Sequence, residues 1–340
     1  MSTPIPQPDH TFLVLPFTPS IYKDPSPLPP IISQVVRSSD RSVLIIFSNP
    51  NHGEQLYTTL RRDPRASFAG LQTFLGRVYA TMAEAQWRSG RVLMDVEVRF
   101  EGEDGDWREK LENGARAGKG QTVKLEGGSY PPSELTEGFE DLPMDPTLRG
   151  LLPPMITVLP CPPLPSASFD PPNIRLGPPV AALGGTFDHL HAAHKLLLHL
   201  ALFLSTRCLI VGVMSDNLLS SKSNASLVQP LDVRIASVEA FLRRCGGGKM
   251  MDVLEIHDPL GPTAYEADIQ VLVVSKETVS GGGMVNRVRR EKELGELELF
   301  VIDVIAADER RDLTGEKDEG RLKELKMGST GIRQWIRNHQ

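Results

Sequence analysis

The sequence predicts an α/β protein with parallel sheets, in which a smaller first domain precedes a larger second one. The second half alternates apolar runs of strand length with segments whose apolar residues recur at helical spacing. This alternation is typical of strands joined by crossover helices. A shorter region of the first half repeats it. Between the two regions prolines occur every few residues, which predicts a linker because proline breaks helices and removes a backbone donor.

The composition indicates a globular protein and argues against several function classes. The 340 residues are 40% hydrophobic and 24% charged, with a formal net charge of -6, so there is no sign of the basic face of a nucleic-acid-binding protein. The longest apolar run, residues 196–204, is too short to cross a bilayer. Cys161, Cys208 and Cys245 are too far apart to suggest a disulfide framework or a metal-binding pair. We expect a cytoplasmic protein, and association with mitochondria stays open.

The first half divides into several regions. Residues 1–40 are a segment rich in Pro and Ser, residues 41–160 an α/β domain with a flexible loop at 101–130, and residues 161–177 a Pro-rich linker. The expected elements are a buried strand at 42–50, a helix at 67–90, a half-buried strand at 91–100 and a further strand at 155–159. The pattern indicates no catalytic constellation here, so the role of this domain stays open.

The second predicted domain, residues 178–340, has a regular order of elements. The strands are predicted in PVAALGGTF, RCLIVGVM, MDVLEIHD, IQVLVVS and LELFVIDVI, and the helices in HLHAAHKLLLHLALFLS, PLDVRIASVEAFLRRC and GMVNRVRREKELGE. Ligands of such sheets bind beyond the carboxyl ends of the strands. The end of the first strand carries a stretch with three of the chain's eight histidines, so we look for the functional site there.

This stretch, AALGGTFDHLHAAHK at 181–195, joins the first strand of the domain to its first helix. Gly184 and Gly185 allow a tight turn, and the first amides of a helix lack internal partners and carry partial positive charge. His191 and His194 are three residues apart and share a helix face, where imidazoles can donate hydrogen bonds to phosphate oxygens. Histidines without a role and a zinc site are the competing interpretations; no nearby cysteine or familiar zinc spacing supports the second.

The stretch GGTFDHLHAAHK resembles the GTFD…HxGH signature of the nucleotidylyltransferase superfamily, with HAAH at 191–194 in the HxGH place. Ala193 stands where many members have glycine. In this the stretch resembles the eukaryotic, fungal-like phosphopantetheine adenylyltransferase branch. Residues 211–234, 258–294 and 326–336 resemble three further segments of that branch. The last of them departs from the pattern, because Gly328 replaces the first serine of the C-terminal phosphate loop.

The resemblance covers residues 178–340 and implies a Rossmann-like nucleotidylyltransferase domain. It implies transfer of AMP from ATP to 4'-phosphopantetheine, giving dephospho-coenzyme A and pyrophosphate in coenzyme A biosynthesis. The attack is in line and has no covalent enzyme intermediate, so catalysis relies on positioning and charge stabilisation. Mg²⁺ is implied as the companion of ATP, without protein ligands. A complex of coenzyme A biosynthesis enzymes and a homo-oligomer both stay open.

The resemblance also implies roles for individual residues. His194 and His191 would hydrogen-bond the triphosphate, Thr186 would orient the attacking phosphate, and Lys222 would bridge the phosphates of both substrates. The residues implied for ATP are Gly185, Thr186, Phe187, His191, His194, Asn286, Arg287, Ser329, Thr330 and Arg333, and those for 4'-phosphopantetheine are Thr186 and Lys222. Asp188 is expected to be a cap or turn residue.

Two further stretches of the sequence are rich in glycine. Glycines 281–283 are expected to precede a helix start that carries Asn286 and Arg287. The stretch GARAGKGQ at 114–121 resembles a P-loop, but its glycine spacing is one residue short and Gly120 replaces the Ser or Thr that would bind magnesium. We therefore expect a single activity, without a fused kinase.

Two alternatives stay open. Another member of the superfamily would transfer CMP to phosphocholine or phosphoethanolamine, or AMP to nicotinamide mononucleotide, although residues 258–294 favour the pantetheine branch. A catalytically weak nucleotide-binding module is the second alternative, since Gly328 removes one hydroxyl and the first half carries no assigned site.

Overall fold

The computed structural model contains two parallel sheets covered by helices, which confirms the predicted fold class. It describes residues 10–49, 54–103, 120–124, 140–141, 177–246, 250–303 and 328–339. Each sheet has five strands. Within these ranges no helix is both long and apolar enough to cross a membrane.

The first sheet is formed by the first half of the chain. Its strands are β1 His10–Pro16, β2 Ser42–Ser48, β3 Asp95–Phe100, β4 Gly120–Lys124 and β5 Glu140–Asp141, in the order β3-β2-β1-β4-β5. The helices between β1 and β3 are α1 Pro19–Lys23, α2 Leu28–Ser38, α3 Leu56–Leu60 and α4 Pro64–Arg88. All neighbouring strands pair in parallel, so each connection has to cross back over the sheet.

The first sheet begins earlier than the predicted domain boundary. Residues 1–40 supply β1, which lies in the middle of the sheet between β2 and β4. The predicted flexible loop at 101–130 contains β4. A strand in the middle of a parallel sheet is covered on both faces and needs only a short apolar run, which is hard to recognise among prolines. The predicted strand at 155–159, the linker up to residue 176 and most of the P-loop-like stretch lie outside the described residues.

Helix α4 and strand β3 depart from their predicted bounds for local reasons. Helix α4 begins at Pro64, because Asp63 caps it by accepting a hydrogen bond from the Ala66 amide at 3.1 Å. Strand β3 is buried along nearly its whole length instead of alternating between buried and exposed residues. Its polar residues Glu97 and Arg99 are as buried as its valines, because they pair with each other and Glu97 also pairs with Arg244 of the second half of the chain.

The second sheet is formed by the second half of the chain. Its strands are β6 Val180–Gly185, β7 Cys208–Met214, β8 Met250–Ile256, β9 Val271–Ser275 and β10 Glu298–Ile302, in the order β10-β9-β6-β7-β8. Its helices are α5 Ala192–Leu204, α6 Leu231–Gly246, α7 Val279–Glu291 and α8 Ser329–His339. All neighbouring strands again pair in parallel, as the alternation of strands and helices predicts.

The two sheets have the same topology. When the strands of each sheet are counted along the chain, both sheets have the order 3-2-1-4-5. The order reverses between the first and fourth strands, and a ligand crevice is expected at the carboxyl ends there. In the second sheet β6 pairs with β9 at Ala181 and Ala182, whereas Gly184 and Gly185 pair with β7. The end of β6 therefore lies at the crevice.

One cluster of buried apolar side chains extends through both sheets. Helix α4 of the first half packs along α5 of the second half. Phe203 of α5 contacts Tyr57 of α3, with ring centroids 5.7 Å apart. Tyr57 in turn stacks on Phe100 of β3 at 4.7 Å. The two domains therefore share a core, and α5 lies inside it.

We expect Phe203→Ala to lower the free energy of unfolding by about 3–5 kcal/mol, because it leaves a cavity where the two sheets meet. Since the core is shared, urea unfolding followed by circular dichroism and tryptophan fluorescence should give one coincident transition. Leu93→Ala is the control, because Leu93 is 56% exposed. Two separate transitions, with only one of them shifted by Phe203→Ala, would contradict a shared core.

Candidate active site

The loop from β6 to α5 contains two residues in the left-handed region. The φ angle is 52° for Phe187 and 46° for His189, a conformation that costs a non-glycine residue free energy and has to be held by its surroundings. Gly185 is required by packing, since a Cβ atom there would lie 3.1 Å from the Phe187 ring. The Phe187 side chain is fully buried and so fixes the loop to the core.

The Asp188 carboxylate holds this loop from inside the protein. Its Oδ1 accepts a hydrogen bond from the Gln229 amide at 2.8 Å, and its Oδ2 accepts one from Nη1 of Arg333 at 2.6 Å. The Gln229 side chain also contacts the loop: its Oε1 accepts a hydrogen bond from the His189 amide at 2.7 Å. Asp188 is therefore more than the turn residue that the sequence predicts.

Arg333 connects the C-terminal helix α8 to this loop. Its guanidinium is buried and pairs with Asp188, while Nε donates to the Ser223 carbonyl at 3.0 Å and Nη2 to the Thr330 hydroxyl at 3.2 Å. Three segments remote in sequence meet at this one side chain. All of these partners belong to the protein, so Arg333 supports the site from behind.

His191 and His194 form a stacked pair at the start of α5. Their ring centroids are 3.9 Å apart and the rings are inclined by 26°. Nε2 of His191 lies 3.3 Å from the Ser329 hydroxyl, which donates to the Asp188 carbonyl at 3.0 Å. Within the described parts of the chain, His194 makes no hydrogen bond through either ring nitrogen. His194 is also partly exposed, and its Nδ1 is buried without a partner among the described residues, so the ring keeps hydrogen-bonding capacity for a ligand.

Both imidazoles are neutral near pH 7. Burial, together with the nearby His194 and Lys195, holds the pKa of His191 well below its usual range. Burial lowers the pKa of His194 from 6.5 to about 4, against the opposing effect of Asp188. A neutral imidazole carries one N–H donor, so each ring can donate a hydrogen bond without adding a fixed charge to the site.

The backbone at the start of α5 supplies further donors. His191 is the N-cap residue and provides no side-chain cap. The first hydrogen bond of the helix runs from the Lys195 amide to the His191 carbonyl at 3.0 Å, so the amides of residues 192–194 precede the helical hydrogen-bond pattern. Free amides at a helix start favour an anion. A helix start whose first amides lack helical partners therefore lies next to the imidazole pair.

Arg234 is a site residue that sequence reasoning missed. It is fully buried in α6, and its Nη1 donates to the Thr186 and Met214 carbonyls, each at 2.8 Å. Its Nη2 donates to the Asp216 carboxylate at 2.6 Å. Arg234 therefore ties the carboxyl ends of β6 and β7 together and fixes the backbone of Thr186. The sequence shows only an arginine near the start of a predicted helix. An arginine there is usually exposed, so nothing in the sequence indicated a buried side chain.

Thr186 and Lys222 line the open side of this region. Thr186 is partly exposed, and its hydroxyl lies 3.8 Å from the Met214 sulfur. Lys222 is exposed on the loop after β7, next to Ser223, which contacts Arg333. The structure thus brings the Lys222 backbone close to the C-terminal helix but records no partner for its ammonium group among the residues it describes.

The segment around the glycine run differs from its prediction. Helix α7 begins at Val279 and includes the glycines 281–283, because a capped turn at Ser275–Thr278 starts it earlier. A Cβ at Gly282 would lie 3.1 Å from Leu299 of β10, so this glycine serves helix–strand packing.

The two polar residues predicted on this helix have different environments. Both polar atoms of the Asn286 side chain bond the Leu297 backbone, at 2.8 and 2.9 Å. Its carboxamide therefore has a structural partner. Arg287 is exposed and remains available to a ligand.

The zinc interpretation receives no support from the geometry. In the parts of the chain that the structure describes, no three His, Cys, Asp or Glu side chains are grouped to bind a metal ion. Both Asp188 oxygens already accept hydrogen bonds. The Asp188 carboxylate is thus occupied by protein donors, and we write Mg²⁺ only as part of the Mg-ATP substrate.

Known proteins share this region. The profile of a family described as cytidylyltransferase-like matches residues 182–315. A phosphopantetheine adenylyltransferase of Saccharomyces cerevisiae is 36% identical over 159 residues, which are 47% of this chain and 49% of the yeast protein. This chain therefore spans about half the length of the yeast relative.

Two archaeal relatives align over most of their own length. The phosphopantetheine adenylyltransferase of Methanothermobacter thermautotrophicus is 33% identical over 38% of this chain and 76% of the archaeal protein. The enzyme of the same name from Methanopyrus kandleri is 30% identical over 41% of this chain and 90% of the archaeal protein.

We expect Asp188→Asn to lower the free energy of unfolding by about 3–5 kcal/mol, because it leaves the Arg333 charge buried without its counter-ion. Glu296→Gln is the matched control. It removes one carboxylate from the Arg290–Glu296 pair, in which both side chains are about half exposed, and should cost at most about 1 kcal/mol. Urea unfolding measures both values. Equal, small losses in the two variants would contradict the anchoring role of Asp188.

The lowered pKa of His194 makes a pH-dependent contribution to stability. Between its unfolded value of 6.5 and its folded value of about 4, the unfolded chain binds a proton that the folded chain excludes. This contribution is fully present above pH 6.5 and is lost as the pH falls. Wild type should therefore lose more stability than His194→Gln between about pH 7.5 and about pH 5 in urea unfolding. Parallel losses in both proteins would contradict a neutral His194.

Proposed function

Because the chain belongs to the phosphopantetheine adenylyltransferase family, we propose that it transfers AMP from ATP to 4'-phosphopantetheine. The products are dephospho-coenzyme A and pyrophosphate. The observation that carries the proposal is the stacked pair of neutral imidazoles, His191 and His194, at the start of α5. This pair lies at the sheet position where α/β proteins bind phosphorylated ligands.

The reaction needs no covalent enzyme intermediate. A phosphate oxygen of 4'-phosphopantetheine attacks the α-phosphorus of ATP, and the bond from that phosphorus to the oxygen bridging to the β-phosphorus breaks. Pyrophosphate takes the bonding electrons as it leaves. The protein contributes orientation and donors where negative charge grows.

His194 is the donor best placed for the α-phosphate. It is partly exposed, and its ring nitrogens make no hydrogen bond to any residue that the structure describes. Nε2 of His191 is engaged near the Ser329 hydroxyl, so His191 supports its neighbour by stacking and contacts the triphosphate from the side. The amides of residues 192–194 add donors at the same point.

The other roles follow the positions of the side chains. Thr186, with the Phe187 backbone, orients the incoming phosphate at the end of β6. Lys222 is exposed on its loop and can close over the phosphates of both substrates. Ser329 and Thr330 supply hydroxyls at the start of α8 for the outer phosphates of ATP, and Arg333 holds these residues in place. Of the α7 segment, Arg287 is the candidate ATP contact.

The substrate set of the proposal is ATP, as its Mg²⁺ complex, and 4'-phosphopantetheine. Nucleic acid is not among the proposed partners, and a complex of coenzyme A biosynthesis enzymes or a homo-oligomer stays open. We place the reaction in the cytoplasm on the basis of the sequence alone, and association with mitochondria stays open.

The test is pyrophosphate release by the purified protein with Mg-ATP, in the presence and absence of 4'-phosphopantetheine. We expect release only when 4'-phosphopantetheine is present. Release that requires CTP with phosphocholine or phosphoethanolamine, or nicotinamide mononucleotide with ATP, would contradict the proposal in favour of another transferase. Nucleotide binding without release from any pair would indicate a catalytically weak binding module.

We expect His194→Asn to lower kcat by about 100- to 1,000-fold, the loss typical of one donor that acts in the transition state. KM for ATP should change little, because the donor acts mainly on developing charge. His257→Asn is the control, since His257 is 74% exposed on its side chain and has no role in the proposed mechanism. A kcat for His194→Asn equal to that of the control would remove His194 from the mechanism.

A further inference from the structure

A row of polar residues follows one face of α5 away from the site. His191, Lys195 and His199 are spaced four residues apart, so they lie one above the other on the helix. Lys195 and His199 are 2% and 0% exposed, in a helix whose other buried residues are apolar. Charged and polar groups at such depth need specific partners. These partners come from the first domain.

Each of the two buried residues is held by strand β3 or by the turn that follows it. The Lys195 ammonium group pairs with the Asp95 carboxylate and donates to the Val96 carbonyl at 2.9 Å. Nε2 of His199 lies 2.6 Å from Oε1 of Glu103, and both side chains are fully buried. Helix α5 is thus attached to the first domain at two successive turns.

A second set of charges surrounds these anchors. The buried Glu97 of β3 pairs with Arg99 at 2.7 Å and with Arg244 of α6. Glu97 also lies 3.9 Å from the Lys195 ammonium group. Helices α5 and α6 therefore both meet the first domain through charged groups whose geometry is specific.

Apolar residues of similar volume could fill such an interface at no loss of stability. Charged pairs instead fix one rotation and register of the helix. A small displacement would separate the partners and leave charges unpaired in a low-dielectric interior, which costs free energy. His191 lies on the same row, one turn before Lys195. Any rotation of α5 about its axis would displace the imidazole pair, and a displacement of about 1 Å at a reacting centre can lower the rate about 100-fold.

We propose that strand β3 of the first domain positions the imidazole pair through Asp95 and Lys195, with Glu103 and His199 as the second anchor. Asp95, Lys195, Glu103 and His199 are thus positioning residues that touch neither substrate. The kinetic part of this proposal rests on the proposed function, whereas its geometric part does not. The first domain, which has the topology of the second but carries no assigned site of its own, thereby contributes to catalysis.

The test compares Asp95→Asn with wild type in the full chain. The Asp95 side chain is 43% exposed, so the isosteric change leaves the packing in place while it removes the nearer of the two carboxylates beside Lys195, the other being Glu97. We expect kcat for pyrophosphate release to fall about 10- to 100-fold with KM for ATP within about twofold. We also expect the imidazole ¹⁵N resonances of His191 and His194, measured without substrate, to shift.

Arg65→Gln is the matched control. It breaks another ion pair between the two domains, Arg65 with Glu298 at 2.8 Å, in which both side chains are about half exposed. This variant should keep wild-type kcat and the wild-type histidine resonances. A general weakening of the domain contact would affect the control as well, so the difference between the two variants isolates the anchor at α5.

Asp95→Glu covers the case in which Asp95→Asn does not fold. It keeps the charge and adds one methylene group, and it should lie between wild type and Asp95→Asn in kcat and in the histidine resonances. Unshifted His191 and His194 resonances in the folded Asp95 variants would overturn the proposal. A wild-type protein that releases no pyrophosphate would contradict the proposed function alone, since the resonances need no substrate.

Discussion

The buried ion pair between Asp188 and Arg333 brings together segments that are remote in sequence. Through Asp188 the loop after β6 is joined to residue 229. Through Arg333 the C-terminal helix α8 is joined to Asp188 and to the backbone of Ser223. The left-handed residues Phe187 and His189 flank Asp188, so its contacts hold a backbone that would otherwise relax. The stacked imidazoles depend on this loop, because they follow it directly and because Ser329 reaches His191 only while α8 is docked.

Helix α5 connects the hydrophobic core to the site. It is buried between two sheets of equal topology and carries the imidazole pair at its start. The first turn of the helix therefore carries the candidate catalytic side chains, while the rest of the helix packs in the core. This division explains why a strand of the first domain can influence a site that lies wholly in the second one. It also explains why the imidazoles are neutral, since the helix withdraws them from water.

Patterns that depend on local sequence were predictable. The alternation of strands and helices gave the second sheet, and the spacing of His191 and His194 indicated their proximity. Features that depend on remote contacts were not. Arg333 was expected to bind phosphate, but its partner is Asp188, 145 residues earlier. Strand β1 was hidden because a strand covered on both faces needs no alternation. The alternation of polar and apolar residues in β3 predicted a half-exposed strand, because Arg244, which pairs with the buried Glu97, lies in the other half of the chain.

The fate of the ATP phosphates shows most directly whether this site transfers a nucleotidyl group. ATP labelled at the α-phosphorus and ATP labelled at the γ-phosphorus are incubated separately with the protein, Mg²⁺ and 4'-phosphopantetheine. We expect the α label to appear in dephospho-coenzyme A and the γ label in pyrophosphate. Transfer of the γ label to the pantetheine substrate, or an α label that stays in free nucleotide, would contradict nucleotidyl transfer at this site.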